Sequence, residues 1–168
     1  MNIPADQYEL YAEFGIAAEK AQVLEVDAGN VALSFLALFV DTDEISTEQC
    51  DMFQRLIDDL DRKTLGKLLQ LIKSVITIAP SILRVVDEAL DQRNHLTHNF
   101  FRTHNFALFD VAGRKAMIEE LKHIQSKLDL AHWMLHGLSE TLTMLAGRDG
   151  LDENLVKQLT ARGKRVKI

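Results

Sequence analysis

From Met117 onward, apolar residues recur at alternating steps of four and three: Met117, Leu121, Ile124, Leu128, Ala131, Leu135, Leu138, Leu142 and Leu145. A strand sends every second side chain to the same face, so only an α-helix gathers this set on one side. The spacing predicts one long helix from Asp110 to about Ala146, ended by Gly147, Asp149 and Gly150. Such an unbroken heptad seam is stable only when it is covered, by the rest of a bundle or by another subunit.

The remainder of the chain is also helical in pattern. Leu10, Phe14, Ala17, Ala21 and Leu24 keep the same spacing within a long N-terminal helix, expected from about Ala5 to Phe39. Ala28-Gly29-Asn30 marks a kink candidate inside it, because glycine costs roughly 1 kcal/mol against alanine in a helix. Asp41 to Ile45 reads as a polar loop, and Ser46 with Gln49 as a capping box opening a helix through Phe53, Leu56, Ile57 and Leu60. Leu65, Leu68, Leu69 and Ile72 mark a further helix. Pro80 interrupts the chain, Ser81 is the expected cap, and Val85, Val86, Ala89 and Leu90 lead the next helix up to Arg93. Phe100 to Phe109 is aromatic and lacks a period, so it reads as an irregular connection. A short helix around Leu155 and Leu159 and a basic, mobile tail over 161–168 are expected last. The expected fold is all-α: one domain over 1–168, a helical bundle of five to six helices with a long N-terminal helix and a long heptad-patterned one near the C-terminus.

Composition sets outer bounds on function. With 168 residues, 47% hydrophobic and 26% charged, the chain has enough apolar mass for a core without staples. Its net charge of −6 disfavours indiscriminate coating of nucleic acid, which relies on Lys and Arg neutralising phosphates. An enzyme gripping RNA through a local basic cleft is compatible with it. Cys50 is the single cysteine, so an internal disulfide and zinc-finger spacing are both excluded, and without reactive partners it reads as an inert thiol. The N-terminal residues lack a secretory pattern, and the longest apolar run, Val31 to Val40, is about half a membrane span. A cytoplasmic protein without membrane contact is the expectation.

One segment carries suggestive chemistry: Arg93-Asn94-His95-Leu96-Thr97-His98, at the end of an amphipathic helix. Asn94 and His98 are four apart and share a helical face. Arg93 lies about 140° round from His98, with a side chain long enough to bend towards the same cleft. The three residue types suit phosphodiester cleavage. Arginine is a permanent forked cation that binds phosphate oxygens and offsets charge growing on a pentavalent phosphorus. Histidine titrates near neutrality and can move the proton of an attacking 2′-hydroxyl or of the leaving oxygen. Asparagine can hold either in place. No metal or other cofactor is required. A purely structural alternative has Arg93 paired with a carboxylate such as Asp87 or Glu88.

The segment resembles the signature of the HEPN superfamily, an arginine, four to six residues and a histidine, with a polar residue directly after the arginine. Arg93, Asn94 and His98 match those positions, and Leu90, Phe100-Phe101 and His104 resemble the surroundings in small bacterial members. The resemblance implies an all-α fold and a metal-independent endoribonuclease, often a toxin or defence protein, with an antitoxin partner in some cases. It also implies a homodimer that brings two motifs into one cleft. Arg93 would stabilise the phosphate, His98 act as general acid or base, and Asn94 position one of them, with Arg102 and His104 contacting RNA nearby. Other members keep the fold without catalysis, which leaves a non-catalytic dimerisation or interaction module as the alternative.

Other signals are weaker. Glu120-Leu121-Lys122-His123 holds one Glu-x-x-His, whereas di-iron bundles use two. His132 and His136 are four apart but lack a third ligand at a readable spacing, so a solvated or partly packed pair is expected. Trp133 falls opposite the seam, either as an exposed interface aromatic or buried under the N-terminal helix.

Overall fold

The computed structural model describes residues 4–38, 65–75 and 77–147. Among them are five α-helices: α1 (Ala5–Ala37), α2 (Leu65–Val75), α3 (Pro80–His98), α4 (Phe100–Thr103) and α5 (Val111–Leu145). One 3₁₀ turn, Ala107–Phe109, precedes α5, and the described residues contain no strand. The expected all-α bundle is what forms. The capping box at Ser46, the helix around Phe53, Cys50 and the basic tail lie outside the described residues.

The frame is the pair α1 and α5, each about 50 Å long at the helical rise per residue. The heptad seam of α5 buries Met117, Leu121, Ile124, Leu128, Ala131, Leu135 and Leu142. Its partner stripe on α1 also repeats every seven residues. Leu10, Ala17, Leu24 and Val31 are buried, as are Ala21 and Ala28, and Phe14 and Phe35 pack against them. The α1 stripe is rich in alanine and the α5 stripe in leucine and isoleucine, so small side chains meet large ones at close approach. Leu138 is only half-buried, and the last seam residue, Leu145, is exposed.

A polar ladder flanks this apolar contact. Asp6, Glu13, Lys20, Asp27 and Ser34 stand seven residues apart on α1, and each bonds to α5. Asp6 accepts from Arg114 Nε at 2.7 Å, and Glu13 accepts from Gln125 Nε2 at 2.7 Å. Lys20 pairs with Asp129, Asp27 with His132 Nδ1 at 2.7 Å, and Ser34 with Ser139 at 2.9 Å and Thr143 at 3.2 Å. Both helices are climbed in the same order, so α1 and α5 run parallel. By the same test α3 is antiparallel to α5: Glu88 bonds Lys127 at 2.9 Å, and His95, seven residues on, bonds Glu120, seven residues back, at 2.8 Å.

Helical bonding runs through Gly29 without interruption. Two local readings are corrected. Pro80 is the first residue of α3 rather than a break before it, with Ala79 at the cap position and no side-chain cap; Ser81 already lies inside the helix. The Phe100–Phe109 connection is mostly ordered into α4 and the 3₁₀ turn.

The start of α5 is tightly fixed. Asp110 caps it by accepting from the Gly113 amide at 3.0 Å. Arg114, only 6% exposed, donates to Asp6 and to the Leu108 carbonyl at 2.9 Å, tying α1, the 3₁₀ turn and α5 together. A Cβ on Gly113 would stand 2.3 Å from the Ala107 carbonyl oxygen, inside any allowed contact. Gly113→Ala is therefore expected to destabilise the fold by about 1–3 kcal/mol, as overpacking does. Urea unfolding checks this, and an unchanged midpoint would contradict the close approach.

Arg114 also holds the Asp6 carboxyl below the usual aspartate range, first through its hydrogen bond and then through its charge. A carboxylate whose folded pKa is depressed adds stability above its ordinary pKa, and that stability fades as pH falls through the lowered value. Asp6→Asn is expected to flatten the acid limb of the stability profile below about pH 4. Thermal melts from pH 6 down to pH 2 read this directly.

Candidate functional site

The motif segment occupies the last two turns of α3. Val86, Ala89 and Leu96 are buried along one stripe of this helix, and Phe100 continues it into α4. Arg93 falls on the same stripe, four residues after Ala89 and three before Leu96. That position brings its stem inward and its guanidinium to α1, where Nη2 pairs with Glu25. Nη1 donates to Asn94 Oδ1 at 3.2 Å. The expected carboxylate partners, Asp87 and Glu88, are engaged elsewhere: Lys73 of α2 bonds Asp87 at 2.5 Å, and Lys127 bonds Glu88. Arg93 is thus a partly buried cation, oriented from both sides.

His98 stands differently. It lies two residues from Leu96 and two from Phe100, both buried, so it points away from the core and is exposed. Among the described residues its ring has no hydrogen-bond or ion-pair partner. Asn94 is half-buried on the same face of α3. The fold therefore joins Arg93 to Asn94 by a hydrogen bond and sets His98 on Asn94's face; no hydrogen bond joins Arg93 to His98.

His95 is turned to the other flank. Its Nε2 meets Glu120 Oε1, while His104 Nε2 meets Glu120 Oε2 at 2.7 Å, so one carboxylate of α5 bridges two imidazoles. The His104 and His95 rings also pack on Phe100, at centroid distances of 5.0 and 6.2 Å. Beneath them Phe14 of α1 completes the cluster with Phe100 and Phe101. This clamp joins α1, α3, α4 and α5 directly behind the motif. Of the expected RNA contacts, Arg102 is exposed, whereas His104 is half-buried with Nε2 taken by Glu120, leaving only Nδ1 for a ligand.

Sequence reasoning overlooked Glu120 as the bridge, since its partners lie 25 and 16 residues away. It also missed Glu25 and Asp27. A readable signal existed for Asp27, an acid inside the run Leu24 to Val31, where burial of a charge needs a partner. Trp133 is 67% exposed, so it is not covered by α1. Among the described residues no group of three or more His, Cys, Asp or Glu side chains is placed to hold a metal, and no helix is long and apolar enough to cross a membrane.

No family model matches the chain, nor does any curated protein or solved structure.

Proposed function

We propose that the chain is a HEPN-like, homodimeric, metal-independent endoribonuclease, of the kind that serves as a toxin or defence protein. The observation that carries this reading is the division of labour within one helix end. Arg93 is held by Glu25 and Asn94, while His98 is exposed on the Asn94 face and unpaired among the described residues. A held cation suits charge stabilisation, because a preorganised donor needs no rearrangement as charge grows on the phosphate. A free imidazole suits proton transfer. In the reaction the ribose 2′-oxygen loses its proton and bonds to the adjacent phosphorus, and the bond to the 5′-oxygen breaks as that oxygen gains a proton. The products are a 2′,3′-cyclic phosphate and a 5′-hydroxyl. Asn94 positions the Arg93 guanidinium, and exposed Arg102 adds a phosphate contact one turn beyond His98. A second motif, across a dimer axis, supplies the other half of the cleft.

The test is cleavage of a labelled single-stranded RNA in excess chelator by purified wild type, Arg93→Ala and His98→Ala. Cutting by the wild type alone, with cyclic-phosphate ends, is the expected outcome. Intact RNA with wild-type protein, or mutants as active as the parent, would count against the enzyme.

A second reading, a non-catalytic interaction module, is favoured by one feature: exposed Trp133 and Leu130 on α5 and Val23 and Val26 on α1. Aromatics on a surface are typical of contact sites. That reading expects Trp133→Ser to abolish self-association measured by sedimentation, with Arg93→Ala indifferent.

A further inference from the structure

The geometry points to a binding site for a divalent transition-metal ion of the imidazole-preferring kind, such as Cu²⁺, Ni²⁺ or Zn²⁺, on the flank of α5 beside α1, chelated by His132 and His136. Two observations combine here. First, the rings are one helical turn apart on one side of the helix and stack, with centroids 5.9 Å apart and planes 23° from parallel. Two histidines at this spacing are the pair that helical metal sites use.

Second, His132 is already oriented as metal-bound histidines are. Its Nδ1 lies 2.7 Å from Asp27 Oδ2, and Asp27 is buried, only 7% exposed. A carboxylate accepts and does not donate, so in the neutral ring the proton sits on Nδ1 and the lone pair on Nε2. The carboxylate–histidine arrangement fixes both tautomer and ring direction. The geometry gives a buried acid on α1 a use beyond the polar ladder, namely aiming Nε2 outward.

His136 supplies the second nitrogen. Half its side chain is exposed, and Nε2 makes only a 3.3 Å contact to Glu140, so the ring can swing to bring the two nitrogens onto one ion. The two imidazoles are the protein's ligands, with water filling the remaining positions. Surrounding charge favours a cation: Asp27 and Glu140 face the pair, Asp129 lies one turn back, and Lys20 is paired with Asp129. The site lies on the α1–α5 frame, away from the Arg93 segment and independent of whether that segment cuts RNA.

The molecule carries its own reporter. Trp133 is the only tryptophan in the chain, and its ring centroid is 5.5 Å from that of His132. Titrating the full chain with CuCl₂ or NiCl₂ at pH 7.5 is expected to quench tryptophan emission saturably, at one ion per chain, with recovery in EDTA. His136→Gln, an exposed and fold-neutral change, should abolish the saturable component, whereas His123→Gln, an exposed control on the same helix, should leave it. Asp27→Asn keeps both ligands and should weaken binding by about 10–100-fold, as loss of an orienting partner does. Circular dichroism of each variant confirms that the helices persist. Quenching unchanged in His136→Gln, quenching that persists in EDTA, or none up to millimolar metal would each overturn the site.

Discussion

Under the proposed reaction, His98→Ala is expected to slow RNA cutting by about 10²–10⁴-fold, the usual contribution of a positioned acid or base. It should do so without loss of fold. The ring is exposed and bonds to none of the described residues, and surface changes of that kind move stability by no more than about 0.5 kcal/mol. This makes it a cleaner probe than Arg93→Ala. Removing the Arg93 guanidinium also leaves Glu25 without its partner, and the two effects would be read together. Cutting rates measured beside a melting curve separate them. A His98 variant that is folded and fully active would end the catalytic assignment, and with it the role given to Asn94.

Phe100→Ala should produce the largest loss of stability at a single aromatic, about 3–5 kcal/mol. The side chain is fully buried and meets four other rings: Phe14, Phe101, His95 and His104. These rings come from α1, α3, α4 and the turn after it, so the cavity would open where four segments converge. Truncation would also release the bridge on Glu120, because both its histidines rest against this ring. Equilibrium unfolding in urea, with far-UV circular dichroism as the signal, gives the difference directly. A loss below about 1 kcal/mol would mean that the cluster collapses around the gap or contributes little.

Much of this frame is legible from residue spacing. The seam of α5 and the N-terminal repeat run at the same heptad period, and both helices form close to their expected ends. Leu65, Leu69 and Ile72 are buried on α2, as their spacing requires. What spacing cannot supply is the identity of the partner. The link from His95 to Glu120 depends on α3 running antiparallel to α5. Gly113 carries no local sign of its importance, since Ala107 reaches it only through the 3₁₀ turn. The candidate site shows both sides of this. Asn94 and His98 could be placed on one face from numbering alone. That Arg93 continues the core stripe between Ala89 and Leu96, and so reaches α1, becomes clear only when α1 is in place.

The seven-residue ladder has a consequence for alignment. Because the apolar stripes of α1 and α5 both repeat every heptad, sliding one helix along the other by seven residues would still set apolar against apolar. The polar rungs would not survive the slide, and the reason is Lys20. It is the one base in a series that otherwise offers acids and a hydroxyl, and it faces Asp129. Shifting α1 by one heptad in one direction sets Glu13 against Asp129, and in the other Asp27 against Asp129. Either way two negative charges meet where one ion pair had been, and like charges along a helical interface repel. A single inverted sign thus acts as an index mark on an otherwise translationally repetitive interface, allowing only one of the equally greasy alignments.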